Sequence, residues 1–288
     1  MKLFKSKEVV GVDIGTSSVK LVELTESKKG FQLQKFAVGP IPSQAIVDGA
    51  IMDAGAIVDS LQGLLREHKI KRTQAAMGLS GHSVIVKKIS LPEMSEEELE
   101  ESIHWEAEQY IPFDIDDVNL DFQILETGET TEEGKMDVLL VAVKKDKIDD
   151  YTSVLIQAGL TPAIVDLDAF ALQNCYEISY EVEPDKNIAL VNVGAGIMNI
   201  NGLRDGMSTF TRDISVGGNQ FTEAIQKEMH VSNEDAERLK TGETLPDVDM
   251  DAVGAIIGQI NETLSVEIQR SFDFFRATSA DQEIDQII

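Results

Sequence analysis

Val9-Val10-Gly11-Val12-Asp13-Ile14-Gly15-Thr16-Ser17-Ser18-Val19-Lys20-Leu21-Val22-Glu23-Leu24 is the stretch on which the fold turns. An apolar run ends in a carboxylate, a glycine and three hydroxyl residues, then resumes as a second apolar run, which reads as strand, tight turn, strand. A turn of this composition aims backbone N–H groups and hydroxyls at one point, as a phosphate requires. A hairpin built from Asp, Gly and Ser for backbone reasons alone looks similar, so recurrence has to decide. The same plan returns 179 residues later, where a strand over 188–193 leads into Gly194-Ala195-Gly196 and a returning strand over 198–202. A third strand follows Arg204-Asp205-Gly206. Two copies so far apart predict two related lobes that grip phosphates from both sides. Strands, not helices, follow both turns, which excludes a Walker loop and a dinucleotide fingerprint.

A different unit sits between the copies. Residues 84–91 read as a strand closed by Pro92, after which Ser95 and Glu98 form a capping box with Glu96, Glu97 and Glu98 in the first helical turn. Leu99, Ile103, Ala107 and Tyr110 share one helical stripe, and Pro112 stops it. Strands over 118–125 and 136–144 flank an acidic turn at 126–134, and a helix over about 146–158 completes a β-α-β-β-α insertion. Past the second turn come Gly217-Gly218, helices over about 220–228 and 232–239, and a long helix with Val253, Ile257, Ile260, Leu264, Ile268 and Phe272 on one face. Residues 284–288 read as the start of a strand in the second-lobe sheet.

The 288 residues suggest about two domains. With 25 Lys and Arg against 51 Asp and Glu, the net charge of −26 repels nucleic acid and anionic lipid on average. A nucleotide is not excluded, because backbone donors and magnesium hold it rather than the global field. The single cysteine, Cys175, points to a reducing compartment and leaves no metal-ligand spacing. No signal-peptide core follows Met1, and the longest clean apolar run, 138–143, is too short to span a bilayer. A cytosolic protein is expected, with any membrane association made through a partner.

Other motifs read as structure. Gly78-Leu79-Ser80-Gly81-His82 lacks the second glycine of a nucleophile elbow and reads as a strand-end turn. His68, His104 and His230 are scattered singly, and Trp105 on the acidic helix is expected to pack.

The two turns resemble the phosphate-1 and phosphate-2 loops of the actin and sugar-kinase superfamily. Gln109-Tyr110-Ile111-Pro112-Phe113-Asp114 and Arg212-Asp213-Ile214-Ser215-Val216-Gly217-Gly218-Asn219 narrow this. Over essentially its whole length the chain resembles the PilM family, cytoplasmic actin-like components of type IV pilus assembly that are similar to the division protein FtsA. The resemblance implies an α/β, two-lobed actin-like ATPase fold with ribonuclease H-like lobes and a small α+β subdomain (1C) inserted in the first. Residues 1–185 would form lobe I, a 1A core carrying the insertion at about 84–159. Residues 186–288 would form lobe II, a 2A core with a 2B-type helical excursion at about 226–262.

The same resemblance implies ATP or ADP with Mg2+. Asp13 would hold a water on magnesium, Gly15, Thr16, Ser17 and Ser18 would line the phosphates, and Lys20 would reach the β-phosphate. Asn192, Gly194, Ala195 and Gly196 would supply the second loop. Gly217, Gly218 and Asn219 would bring backbone to ribose and phosphate, and Glu237 with Lys240 would contact the nucleoside. An i,i+3 Glu–Lys pair also arises on any solvated helix face. Asn192, Ile197 and Met198 stand where the family uses a carboxylate and two hydroxyls, so binding with slow hydrolysis is expected. The family's Ser-Gly-Gly adenosine motif would lie beyond residue 288.

Implied partners are the cytoplasmic N-terminal peptide of the inner-membrane protein PilN, docked beside the extra subdomain, and the assembly motor ATPases. The chain would sit in the cytoplasm at the inner face of the inner membrane, with homo-oligomerisation open. Two rivals remain. A small-molecule kinase of this superfamily requires an Asp in the cleft, and an FtsA-like filament protein requires a membrane-targeting tail.

Overall fold

The computed structural model describes residues 9–28, 30–125, 134–181, 183–278 and 283–288. The start at Met1 and the acidic turn over 126–133 lie outside the described residues.

The opening hairpin forms as its pattern predicts, from β1 (Val10–Ile14) and β2 (Ser18–Ser27), with Asp13 opposite Lys20. β3 (Gly30–Pro40) continues the meander, and a short hairpin, β4 (Ile46–Val47) with β5 (Ala50–Ile51), precedes helix α1 (Ala54–Glu67). Asp53 caps α1 by accepting from the Ala56 amide at 3.0 Å. Ile57, Val58, Leu61 and Leu64 of α1 pack on the inward residues Val10, Val12, Val19 and Leu21, an alternation with period two against one of 3.6. β6 (Gln74–Leu79) joins β1 in parallel.

The insertion then leaves the sheet. β7 (Val84–Pro92), α2 (Glu96–Ala107), β8 (Val118–Leu125) and β9 (Lys135–Lys144) build a three-stranded antiparallel sheet in the order β7-β9-β8. Both bonds of the capping box are made: the Glu98 amide donates to Ser95 Oγ at 3.2 Å and the Ser95 amide donates to Glu98 Oε2 at 2.8 Å. Leu99, Ile103 and Ala107 of α2 bury against Ile89, Leu91, Val138, Leu140 and Ala142. The Tyr-Ile-Pro-Phe segment turns back over this sheet, where Lys87 Nζ covers the Tyr110 ring at 5.5 Å and Lys144 Nζ covers the Phe113 ring at 4.4 Å. Trp105 departs from expectation. It is 75% exposed on the outer side of α2, two residues from both Ile103 and Ala107 of the buried stripe.

Helix α3 (Lys145–Gln157) also departs from expectation. It follows β9 without a break, yet its apolar face of Tyr151, Val154 and Leu155 joins the first-lobe core beside α1 and not the core of the insertion. The helix therefore carries the chain out of the insertion and back to the main sheet. β10 (Thr161–Leu167) completes that sheet in the order β10-β6-β1-β2-β3, and α4 (Asp168–Ser179) starts at its end.

In the second lobe β11 (Asn187–Val193), β12 (Met198–Arg204) and β13 (Met207–Ile214) form the repeated meander. Tyr176 and Leu172 of α4 pack on Ile188, Leu190 and Leu203, so α4 bridges the two sheets. Helices α5 (Gly218–Met229) and α6 (Asn233–Lys240) follow, and then α7 (Met250–Thr278). Most of the stripe on α7 faces inward as its spacing predicts: Val253 and Ile257 meet α5 and α6, and Leu264, Ile268 and Phe272 pack with Met198, Ile200 and Ile214, while Ile260 between them is half-buried and joins neither group. The expected terminal strand is β14 (Gln286–Ile287), parallel to β11.

Candidate functional site

The two turns share one bonding pattern. The Gly15 amide donates to Ser18 O at 3.0 Å, and the Gly194 amide, at the same offset, donates to Ile197 O at 2.9 Å. In each hairpin the residue two before the glycine faces the residue seven further on. In the first that cross-strand pair is Asp13 with Lys20, an ion pair at 2.5 Å. In the second it is Asn192 with Asn199, whose amide side chains bond at 3.1 Å. The turns touch each other: a Cβ added at Gly196 would lie 2.9 Å from Thr16 Oγ1.

Between them lies a cavity of about 430 Å³, lined by Asp13, Gly15, Thr16, Ser17, Ser18 and Lys20 from the first turn. Asn192, Gly194, Ala195, Gly196 and Ile197 line it from the second. The hydroxyls of Thr16, Ser17 and Ser18 have no hydrogen-bond partner among the described residues. Three unpaired hydroxyls and a lysine facing one space can receive several anionic oxygens. Met198 is not among them. It is fully buried in the second-lobe core, so a hydroxyl there would not reach the cavity, and of the two substitutions noted in the sequence only Ile197, at the position equivalent to Ser18, affects the lining.

A polar chain crosses from lobe to lobe beside the cavity. Asn192 Nδ2 donates to Asn199 Oδ1, Asn199 Nδ2 donates to Asp213 Oδ1 at 2.7 Å, and Asp213 Oδ2 accepts the Gly81 amide at 2.5 Å. His82 and Ser215 add a second bond across the lobes, ring nitrogen to hydroxyl oxygen at 3.1 Å. The strand-end turn at 78–82 thus makes a contact between the lobes, and Ser80 within it also lines the cavity.

The family model for the type IV pilus assembly protein PilM matches residues 11–288. The chain belongs to the PilM family. It is 25% identical to the cell division protein FtsA of Bacillus subtilis (strain 168) over 80% of this chain and 57% of that protein, so it spans little over half the length of that relative. Among solved structures it superimposes on a chain of a PilM–PilN type IV pilus biogenesis complex with a TM-score of 0.83 and 29% identity, covering 94% of this chain and 78% of that one. MreB5 of Spiroplasma citri bound to AMPPNP gives a TM-score of 0.52 at 11% identity over 93% of this chain and 79% of that one, a likeness of fold alone. The fold is the actin-like ATPase fold, with the insertion in its first lobe.

This PilM-family chain places the remaining expected residues elsewhere. Gly217, Gly218, Asn219, Glu237 and Lys240 lie behind the second turn and do not line the cavity. The amides of Gly218 and Asn219 are already donated, to Gly194 O at 2.9 Å and Ala195 O at 2.7 Å. Glu237 and Lys240 pair with each other, both engage the Thr222 hydroxyl, and Lys240 Nζ reaches toward Gly218 O at 3.4 Å. In this structure the cluster braces the second loop.

Sequence alone does not single out Asp168, Lys147 or Tyr151, all of which line the cavity. Asp168 opens α4, tight against Gly78, where only a hydrogen leaves room for its carboxylate. Burial pushes its pKa up. The Ser80 hydroxyl pulls it back, Asp13 and Asp213 raise it, and Lys147 lowers it. Burial also pushes the Tyr151 hydroxyl up to about 12 and holds the Lys147 ammonium below the usual lysine range. The sequence signal for Asp168 is a carboxylate at a strand end just before a helix, in Asp166-Leu167-Asp168, a pattern too common to mark a site by itself. So the cavity, which has an amide at 192, gains its second carboxyl from α4.

Magnesium bridging phosphates takes one or two carboxylates and keeps several waters. The Asp13 carboxylate, half exposed at the cavity edge and paired with Lys20, fits that role. Among the described residues no helix is long and apolar enough to cross a membrane.

Proposed function

We propose that this chain is a nucleotide-binding scaffold of type IV pilus assembly. ATP or ADP lies with its phosphates between the two turns, and the insertion side carries the cytoplasmic N-terminal peptide of PilN, which would bring the chain to the inner face of the inner membrane and to the assembly motors. The observation that carries the nucleotide half is the cavity with its three unpartnered hydroxyls beside Lys20. The partner half is supported by the family and by the likeness to the PilM–PilN complex. Thr16, Ser17, Ser18 and Lys20 hold phosphate oxygens in this reading, and Asp13 holds a water on magnesium. The metal, when bound, neutralises charge on the phosphate oxygens.

Calorimetry with ATP and ADP, with and without Mg2+, tests the nucleotide half, and titration with a PilN N-terminal peptide tests the other. Asp13→Ala or Lys20→Ala is expected to weaken ATP binding at least tenfold, about 1.4 kcal/mol, without unfolding the chain. Affinity equal to that of the unaltered chain in both variants would remove the cleft assignment. Phosphate release is expected to stay below about 1 per second, under ordinary enzyme rates, because the amide at 192 accepts no proton.

Asp168 favours one alternative specifically, since a superfamily small-molecule kinase needs a cleft carboxylate. Mass spectrometry of what copurifies separates the two. Adenine nucleotide alone supports the scaffold, and a phosphorylatable small molecule beside it supports the kinase.

A further inference from the structure

One cavity group has no part in that reading. Lys147 lies in the first turn of α3 with only 9% of its surface exposed, and it lines the same cavity as both turns. Its Nζ donates to Gly49 O at 2.9 Å and sits 4.7 Å from the centre of the Tyr151 ring. The Tyr151 hydroxyl, one helical turn on, donates to the same carbonyl at 3.1 Å. Gly49 has φ +78°, and a Cβ there would fall 2.9 Å from the ammonium and within about 4 Å of Ser80 O and Ile197 Cδ1. The glycine thus leaves room for the charge at the place where the end of β6 meets the second turn.

An ammonium has three N–H groups. The Gly49 carbonyl takes one, and among the described residues Lys147 forms no ion pair. Asp168 from α4, Asp213 from β13 and Asp150 from α3 act on it through their fields, and burial weakens its hold on the proton. A charge kept under such cover is costly unless something compensates it. Anchoring the β4–β5 hairpin does not explain the charge, because Tyr151 already donates to the carbonyl that Lys147 holds, and a neutral donor would serve.

We infer that the Lys147 ammonium is a second phosphate-binding cation, which takes the terminal phosphate of a nucleoside di- or triphosphate from the α3 wall while Lys20 acts from the first hairpin. This rests on the proposed nucleotide reading of the cavity. It adds a ligand delivered by the helix that follows β9 directly, so that the phosphate contact lies three residues from the sheet of the insertion.

The test uses the full chain and its Lys147→Gln variant, which keeps a donor for Gly49 and removes the charge. ATP, ADP and adenosine are titrated into each with Mg2+ present, and thermal melts check the fold. The expected result is at least a tenfold loss of ATP affinity with adenosine affinity unchanged. A folded variant that binds ATP as the unaltered chain does overturns the Lys147 assignment alone. No ATP binding by the unaltered chain overturns the cavity reading and this inference with it. Should the variant not fold, amine acylation of the unaltered chain decides: Lys147 is expected to be protected by ATP and not by adenosine, and equal labelling under both overturns the assignment.

Discussion

Gly217→Ala is expected to destabilise the protein by about 3–5 kcal/mol and to abolish nucleotide binding at temperatures where the unaltered chain still binds. The backbone at Gly217 is extended, so conformational strain is not the reason. The reason is space. A Cβ at 217 would press into Gly194 O, and it would lie 2.7 Å from Ala195 O and 2.9 Å from Ala195 C. All three are backbone atoms of the second turn and cannot rotate away as a side chain tip could. Overpacking of this kind costs about 1–3 kcal/mol. Relief by separating the segments would also break the bonds from the Gly218 and Asn219 amides to Gly194 O and Ala195 O, at about 1–3 kcal/mol for a buried group left unpaired. The second turn would then shift away from the first, which it meets at Thr16. Gly254→Ala on α7 is the control. Nothing lies within 4 Å of its added Cβ, and alanine's helix propensity should raise stability by up to about 1 kcal/mol. A Gly217→Ala protein that melts with the unaltered chain in a urea titration would sink the argument.

The first hairpin was legible because strand period and turn chemistry agree over residues 9–24, and the register that pairs Asp13 with Lys20 follows from them. The capped helix α2 and the inward stripe of α7 were legible for the same reason, since cap residues and a period of 3.6 are local signals. What was not legible is what depends on where elements meet. The side of the protein on which α3 would pack could not be read, because an apolar stripe of Tyr151, Val154 and Leu155 says that something covers it and not what. Asp168 and Lys147 are in the cavity only because α4 and α3 begin at its rim. The glycine pair 217–218 signals close approach, and at Gly217 what approaches is the backbone of the second turn. Close approach is visible in a glycine pair, but its partner is not.

The cross-strand pair that differs between the two hairpins gives the second large effect. Asn192→Asp restores the carboxylate found at the equivalent Asp13, yet it is expected to cost about 2–3 kcal/mol in the absence of nucleotide. Asn199 is the obstacle. Its Nδ2 is committed to Asp213 Oδ1, so only its carbonyl oxygen faces position 192, where the present amide donates to it. An aspartate at the exposed position 192 would set acceptor against acceptor, losing one hydrogen bond and leaving the side-chain oxygen of buried Asn199 unpaired. Turning the Asn199 amide over does not help, because that would set its oxygen against Asp213, which holds the Gly81 amide and with it the contact between lobes. The first hairpin solves the same problem with Lys20. Asn199→Lys in the Asn192→Asp background should therefore recover most of the loss, since an ammonium can donate to the new carboxylate and to Asp213 together. The coupling in the double-mutant cycle is expected to be favourable by about 1–3 kcal/mol. Thermal melts of the two single variants and the double variant measure it. Additive effects would mean that the chain from Asn192 through Asn199 and Asp213 to Gly81 does not act as one unit. Favourable coupling would mean that an amide occupies position 192 because its cross-strand neighbour is an amide already bound to the lobe contact.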